Sequence, residues 1–84
     1  MRPGQKVGGK VATPVREMLS SELYNGVIFE CNDGRAAERT RTAALVLRGR
    51  NQYDYHTRRR GNKLIVYKGE DIDEPNYFTV DHRD

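Results

Sequence analysis

Several residue types are scarce in this chain of 84 residues, and each scarcity excludes a class of protein. A single cysteine, Cys31, excludes an internal disulfide, and two histidines without a Cys-x-x-Cys pair exclude a structural zinc site. No apolar run is long enough for a membrane span, and the first residues lack the apolar segment of a signal peptide. We therefore expect a protein of a reducing cytoplasm, with no membrane partner, cofactor or metal.

Motifs of catalysis are also missing from the sequence. The chain contains no Gly-x-Ser-x-Gly, His-Glu-x-x-His, phosphate-loop or dinucleotide-binding pattern. Cys31 and His56 are candidates for a nucleophile and a base, but nothing in their spacing supports such a pair. Since a lone cysteine at a strand end is usually a small core residue, we predict a non-enzymatic protein with no catalytic residue.

Apolar residues are few for a folded protein. Leu, Ile, Val and Phe together number 17 of 84, which is close to the composition at which disorder begins. A chain this short buries only about 60–65% of the surface that its unfolded form exposes. We predict one domain over residues 13–80, a flexible basic arm over 1–12 and a frayed tail over 81–84.

A helix and a strand are indicated before residue 32. A hydroxyl residue followed by proline, Thr13-Pro14, is typical of a helix start. We predict that this helix ends near Tyr24, before the glycine at position 26. The apolar run at 27–31 contains β-branched and aromatic residues and predicts a strand.

A second helix is predicted from 34 to 48, with Asp33 as its cap. One side of this helix carries mostly small residues, which would let it lie close to a sheet: Ala36, Thr40, Ala43, Ala44 and Leu47, with Ala37 at the margin of that side. Leu45 and Val46 fall on its polar side. We predict that another segment of the chain covers them or that they contact another protein.

Residues 52–58 and 63–68 predict a β-hairpin. A two-residue loop at 60–61 or at 61–62 gives the same two faces, because the parity of the register is unchanged. One face then carries Tyr53, Tyr55, Thr57, Leu64 and Val66, and the other carries His56, Arg58, Lys63, Ile65 and Tyr67. A last strand is expected at 76–80. These elements predict an α+β protein: a single small two-layer domain with two helices on a short, mainly antiparallel sheet.

Charge is unevenly distributed along the chain, although the net charge is only +3. Residues 35–63 carry nine Lys or Arg against two acidic residues, a net +7, whereas residues 69–84 carry one Arg against six acidic residues, a net −5. A basic segment followed by an acidic one indicates a surface for a polyanion. The acidic loop at 70–74 would alternatively fold back and mask that surface.

The candidate site is a group of arginines at the predicted hairpin turn. Arg58, Arg59 and Arg60 repel one another, which a polyanion would relieve; the alternative is a turn whose charges only keep the protein in solution. We predict nucleic-acid binding, with duplex DNA favoured over RNA, through contacts to phosphates. The contributing residues are Arg58, Arg59, Arg60 and Lys63 of the hairpin and Arg35, Arg39 and Arg41 of the second helix.

Residues from about 20 to 68 resemble a loosely defined group of small proteins from actinobacterial phages and prophages. The shared pattern is a short helix, an apolar strand, the segment Arg-Ala-Ala-Glu-Arg-Thr-Arg-Thr-Ala-Ala at 35–44, a basic turn and a hairpin that ends in Leu-Ile-Val-Tyr at 64–67. The resemblance implies no catalytic residue. It implies a phage origin, and small phage proteins often bind DNA or a host protein.

Two further hypotheses remain open from the sequence. Tyr67 and His56, among Arg58 and Lys63, would form a platform on which single-stranded bases stack. A protein-interaction module, such as a phage-encoded inhibitor of a host protein, would use the two outward apolar residues of the second helix and the acidic loop. A homodimer is compatible with the second hypothesis.

Overall fold

The structure, a computed structural model, describes residues 3–69 and 76–83, with side chains from residue 10 onward. The elements in chain order are α1 (Pro3–Ser20), β1 (Gly26–Glu30), α2 (Gly34–Asn51), β2 (His56–Arg60), β3 (Lys63–Tyr67) and β4 (Tyr77–Asp81). The four strands form one sheet in the order β2-β3-β1-β4, in which β1 is antiparallel to β3 and parallel to β4. The α+β prediction is confirmed, and the sheet is mixed.

Both helices pack against the same face of the sheet. Val11, Val15 and Met18 recur at helical spacing along α1 and are buried. They share one core with Ala37 and Ala44 of α2 and with alternate residues of β1 and β3, namely Val27, Phe29, Leu64 and Val66. Successive side chains of a strand point to opposite faces, so the intervening strand residues point away from the helices.

Helix α2 begins and packs as predicted. The carboxylate of Asp33 accepts a hydrogen bond from the backbone N–H of Ala36 at 2.8 Å, which satisfies one of the free donors of the first turn. Ala37, Thr40 and Ala44 are buried. The side with small residues is therefore the one that lies against the sheet.

The end of α2 differs from the prediction. The helix continues through Gly49 to Asn51 because the residue that ends it is Gln52, whose backbone is left-handed with a φ of 56°. The N–H of Gln52 donates to the carbonyl of Arg48. The cap is therefore a non-glycine residue in a conformation that usually favours glycine.

Helix α1 begins at Pro3 rather than at Pro14. Residues 3–12 of the predicted flexible arm thus belong to this helix, and residues 1 and 2 lie outside the described part of the chain. Pro14 lies inside the helix and offers no N–H to the carbonyl of Lys10. A proline in a helix interior costs about 3 kcal/mol, and burying a valine such as Val11 stabilises by about 1.5–3 kcal/mol, so burial largely offsets the loss.

Helix α1 also ends earlier than predicted, at Ser20. The hydroxyl of Ser21 accepts hydrogen bonds from the backbone N–H groups of Leu23 and Tyr24, both at 3.0 Å, and turns the chain out of the helix. The Nζ of Lys68 donates to two carbonyls at this helix end, at 3.3 and 2.7 Å. Leu23 is consequently 74% exposed instead of extending the apolar side of α1.

The hairpin uses the second of the two predicted loops, Gly61-Asn62. Gly61 has a φ of 59°, as the first central residue of a type II′ turn requires. Asn62 ties the turn to the end of β1, because its Nδ2 donates to the carbonyl of Cys31 at 2.8 Å and its own carbonyl accepts from the N–H of Cys31 at 2.9 Å. Cys31 is buried and free, as predicted for a core cysteine.

The last strand extends one residue further toward the C-terminus than predicted. Asp81 is the last residue of β4, and the N–H of His82 donates to the carbonyl of Glu30 at 2.9 Å. Residues 81 and 82 of the predicted frayed tail thus pair with β1, and residue 84 lies outside the described part of the chain. The acidic loop at 70–74 also lies outside it.

Tyr55 attaches the start of the hairpin to α2. Its side chain is 1% exposed, and its hydroxyl donates a hydrogen bond to the carbonyl of Ala44. The guanidinium of Arg48 donates to the carbonyl of Tyr55 at 3.1 Å. Burial raises the pKa of Tyr55 to about 12, against the opposing effect of the positive charge on Arg48.

We expect the free energy of unfolding to fall as the pH rises from about 10 to about 12. In this range the tyrosine ionises in the unfolded chain but stays protonated in the folded protein, so unfolding releases a proton. Tyr55→Phe removes this contribution, and urea denaturation at about pH 9 and about pH 11 measures it. An equal loss of stability in the wild type and in the variant would contradict the assignment.

Replacement by alanine is expected to have opposite effects on stability at two glycines, Gly26 and Gly49. Gly26 is the first residue of β1. A Cβ on Gly26 would lie 2.9 Å from ring carbons of Tyr77 and 2.9 Å from the carbonyl oxygen of Val66. A Cβ on Gly49 would meet nothing within 4 Å. We expect Gly26→Ala to destabilise the protein and Gly49→Ala to stabilise it by about 0.5–1 kcal/mol, because alanine favours a helix. Urea denaturation tests both, and effects of the same sign would count against this packing.

Candidate nucleic-acid interface

Strand β2 carries the three consecutive arginines. Arg58, Arg59 and Arg60 lie within β2, and the turn is Gly61-Asn62, so the predicted position of these arginines at a projecting turn is wrong. The reason is that β2 extends two residues beyond the predicted strand end. Because side chains alternate along a strand, Arg58 and Arg60 point away from the helices, whereas Arg59 points toward their side of the sheet.

Arg59 is held by contacts on the helix side. Its Nε donates to Oε2 of Glu38 at 3.0 Å, and its Nη1 donates to the carbonyl of Gly61 at 2.9 Å. Arg41 shares the same carboxylate, with its Nη1 at 3.4 Å from Oε1 of Glu38, and its Nε donates to the hydroxyl of Thr57 at 3.4 Å. The single negative charge of Glu38 is therefore shared between the two positive charges of Arg41 and Arg59, both of which are predicted site residues.

We name the face of the sheet that points away from the helices the open face. Its hairpin part carries the residues predicted for it, together with Arg60: His56, Arg58, Arg60, Lys63, Ile65 and Tyr67. The side chains of Arg58 and Arg60 are exposed and make no hydrogen bond or ion pair to any residue that the structure describes. These two guanidinium groups are therefore available to a partner.

Arg60 lies directly opposite Lys63 in the antiparallel register. Like charges in directly opposite positions destabilise a sheet, by an amount in the range of about 0.2–1 kcal/mol for such cross-strand pairs. Lys63 has one carboxylate near it, with its Nζ at 3.9 Å from Oε2 of Glu30, which is the long end of the range for an ion pair. The hairpin thus keeps three cations on one face, and among the described residues only Lys63 has a carboxylate within ion-pair distance.

The sign of the charge changes across one row of the open face. The register places Arg60, Lys63, Glu30 and Asp81 side by side in that order from one sheet edge to the other. Asp81 accepts hydrogen bonds from Arg83, and these lower the pKa of its carboxyl. The β2–β3 half of the row is therefore basic and the β1–β4 half is acidic.

Two rings lie at the other end of the same hairpin face. His56 and Tyr67 are directly paired across β2 and β3, with ring centroids 5.4 Å apart and ring planes at 39°. His56 is exposed and Tyr67 is half-buried. Ile65 lies on the open face between this ring pair and the two cations Arg60 and Lys63. It pairs with Ile28 of β1, so the middle of the open face is apolar.

The remaining predicted arginines lie on α2, on the other side of the sheet. Arg35 and Arg39 are exposed, and Arg39 lines a cavity of about 300 Å³ together with Lys10, Asn32 and His82. The structure therefore brings Arg58, Arg60 and Lys63 together. It separates them from four other predicted residues, namely Arg35, Arg39, Arg41 and Arg59.

The candidate residues for a protein contact differ in exposure. Val46 is 49% exposed, whereas Leu45 is half-buried. Part of Leu45 is thus covered by the protein itself. A role of this pair in binding another protein stays a prediction.

Sequence reasoning missed the role of Glu38. Its spacing of three residues from Arg41 on one helix is a recognisable signal for an ion pair. No comparable signal links Glu38 to Arg59, which is 21 residues away and meets it only because α2 packs beside β2.

The like-charge pair of the hairpin leads to a test of stability. We expect Arg60→Glu to raise the free energy of unfolding by about 0.2–1 kcal/mol at low salt, because glutamate would face Lys63 with the opposite charge. Arg58→Glu is the matched control, since its direct partner is the uncharged Ile65 and a smaller gain is expected. Urea denaturation at low and high salt measures both, and a less stable Arg60→Glu protein at low salt would contradict the repulsion.

Comparison with protein-family models, curated proteins and solved structures found no match to this chain. The resemblance to small proteins of actinobacterial phages therefore stays a prediction. Within residues 3–69 and 76–83, neither helix has the length and apolarity needed to cross a membrane. The same residues contain no cluster of three or more histidine, cysteine, aspartate or glutamate side chains suited to a metal ion.

Proposed function

We propose that this protein binds nucleic acid through Arg58, Arg60 and Lys63, which form the basic part of the open face. The observation that supports the proposal is the pair of exposed arginines on one face of β2 without an ion-pair partner among the described residues. The opposing Lys63 increases the positive charge at the same place. Phosphate groups would neutralise all three residues and relieve their repulsion.

The chemistry of these residues suits a phosphate backbone. A guanidinium presents forked N–H donors that match two oxygens of a phosphate, and an ammonium acts as a compact positive charge. Residues two apart on a strand are about 6.6–6.8 Å apart, so Arg58 and Arg60 form a short row of charge. A polymer with repeated negative groups satisfies such a row better than a single small anion does.

The preference for particular bases is expected to be weak. Sequence is distinguished mainly by hydrogen bonds to base edges, whereas phosphate contacts fix position and orientation. The basic part of the open face consists of three cations, and the aligned polar residues Glu30 and Asp81 are acidic. The proposed contacts are therefore mainly with the backbone, and affinity should decrease steeply as salt increases.

A cytoplasmic location and a phage origin belong to the same proposal. Cys31 is a free, buried thiol, which is compatible with a reducing compartment. The resemblance of residues from about 20 to 68 to small phage proteins adds support, since such proteins often bind DNA.

We expect Arg58→Gln combined with Arg60→Gln to weaken binding of a fluorescent oligonucleotide. Loss of two phosphate contacts should lower affinity at low salt and reduce the slope of log affinity against log salt by about 1.4–1.8, since each contact contributes about 0.7 for a single strand and about 0.9 for a duplex. Fluorescence anisotropy at a series of salt concentrations measures both quantities.

The matched control combines Arg39→Gln with Arg50→Gln, which removes the same charge from exposed positions of α2. This control should lose much less affinity, because α2 lies on the opposite side of the sheet. Equal losses in the two double variants would show that binding depends on net charge rather than on the open face. Absence of oligonucleotide binding by the wild type would overturn the proposal.

A further inference from the structure

We infer that the nucleic acid bound by this protein is single-stranded, with a base stacked on the His56–Tyr67 ring pair and the adjoining backbone held by Arg58 and Arg60. This inference rests on the proposed function and specifies its substrate class. It depends on a feature that phosphate binding alone does not need, namely two rings on the same face as the cations.

The ring pair is positioned for stacking by the strand register. His56 and Arg58 are two residues apart on β2, so both point to the open face, and Tyr67 lies directly opposite His56. The ring planes differ by 39°, and the histidine is exposed at the sheet edge. Aromatic side chains beside cations are the combination that single-strand binding surfaces use, because every base offers a π-face.

A duplex makes poor use of this arrangement. In a duplex the faces of the bases stack on one another, and proteins reach only base edges in the grooves and the backbone. A ring on a sheet face can stack only on a base that is unpaired. The arginines of α2, which would extend a grip on a duplex, lie on the other side of the sheet.

The charge pattern also favours one path for the strand. The basic half of the open face lies on β2 and β3, and the acidic half at Glu30 and Asp81 lies toward β4. A phosphate backbone would be attracted to Arg58 and Arg60 rather than to the corner with Glu30 and Asp81, whose negative charge is only partly compensated by Arg83 and Lys63. The path therefore runs along β2, from the ring pair toward the Gly61-Asn62 turn.

The test compares three probes that carry equal numbers of phosphates per strand. They are a single-stranded oligothymidine of about ten nucleotides, a strand of the same length in which every nucleotide is abasic, and a duplex of the same length. This length is chosen because single-strand binding folds cover about 4–16 nucleotides. Anisotropy competition at one low salt concentration ranks their affinities. We expect the oligothymidine to bind about tenfold or more tightly than the abasic strand.

Tyr67→Leu tests the ring directly. It keeps an apolar side chain on β3 but removes the aromatic surface, and we expect about tenfold weaker binding of oligothymidine with little change for the abasic strand. Tyr24→Leu is the matched control, because Tyr24 is also a partly exposed tyrosine whose ring contacts another aromatic ring. Its partner, Phe78, points to the helix side of the sheet, away from the open face. The control should leave both affinities unchanged. An oligouridine arm distinguishes RNA from DNA.

The outcomes separate this inference from the proposed function. If the duplex or the abasic strand binds as tightly as oligothymidine, and Arg58→Gln with Arg60→Gln still weakens binding, the protein binds phosphates but the single-strand inference is wrong. If no probe binds, the proposed function fails as well. Should Tyr67→Leu fail to fold by circular dichroism, His56→Ala at the exposed edge and the wild-type comparison of the probes still decide the question.

Discussion

The alternation of side chains along pleated strands is the constraint on which the rest of the structure depends. Both helices pack on one face of a four-stranded sheet, so each strand residue is assigned either to the core or to the open face. Leu64 and Val66 become core residues under the helices, whereas Lys63, Tyr67 and the buried Ile65 point to the open face. The same alternation divides a run of three arginines into two sites with different surroundings.

The divided arginines differ in what they contribute. Arg59, on the helix side, is bound by Glu38 and by the turn carbonyl of Gly61, and it connects α2 to the hairpin. Exposed ion pairs of this kind contribute about 0–1 kcal/mol, so its role is mainly to position the elements. Arg58 and Arg60 have no such partner among the described residues, and Arg60 faces Lys63. An edge strand with exposed arginines also resists pairing with other strands, which is a benefit for the fold that needs no ligand.

Local signals in the sequence predicted much of the fold. The Asp33 cap, the small-residue side of α2, the strand at 27–31 and the hairpin with its two faces all depend on contacts within a few residues or on simple periodicity. The errors occur where a distant contact outweighs a local signal. Thr13-Pro14 is typical of a helix start, yet burial of Val11 keeps the preceding turn helical. At the end of α1, the local turn at Ser21 is joined by Lys68, far along the chain, whose contact no local pattern reveals.

The candidate site shows the same division between local and distant information. The sequence by itself determined that cations are concentrated in residues 35–63 and that His56, Arg58, Lys63 and Tyr67 share a face, because charge content and strand parity are local properties. Only the tertiary structure decided that Arg59 pairs with Glu38, that the α2 arginines lie behind the sheet, and that Glu30 and Asp81 continue the row of charges. These relations depend on which face the helices cover and on the order of the strands, and both are set by packing between segments that are distant along the chain.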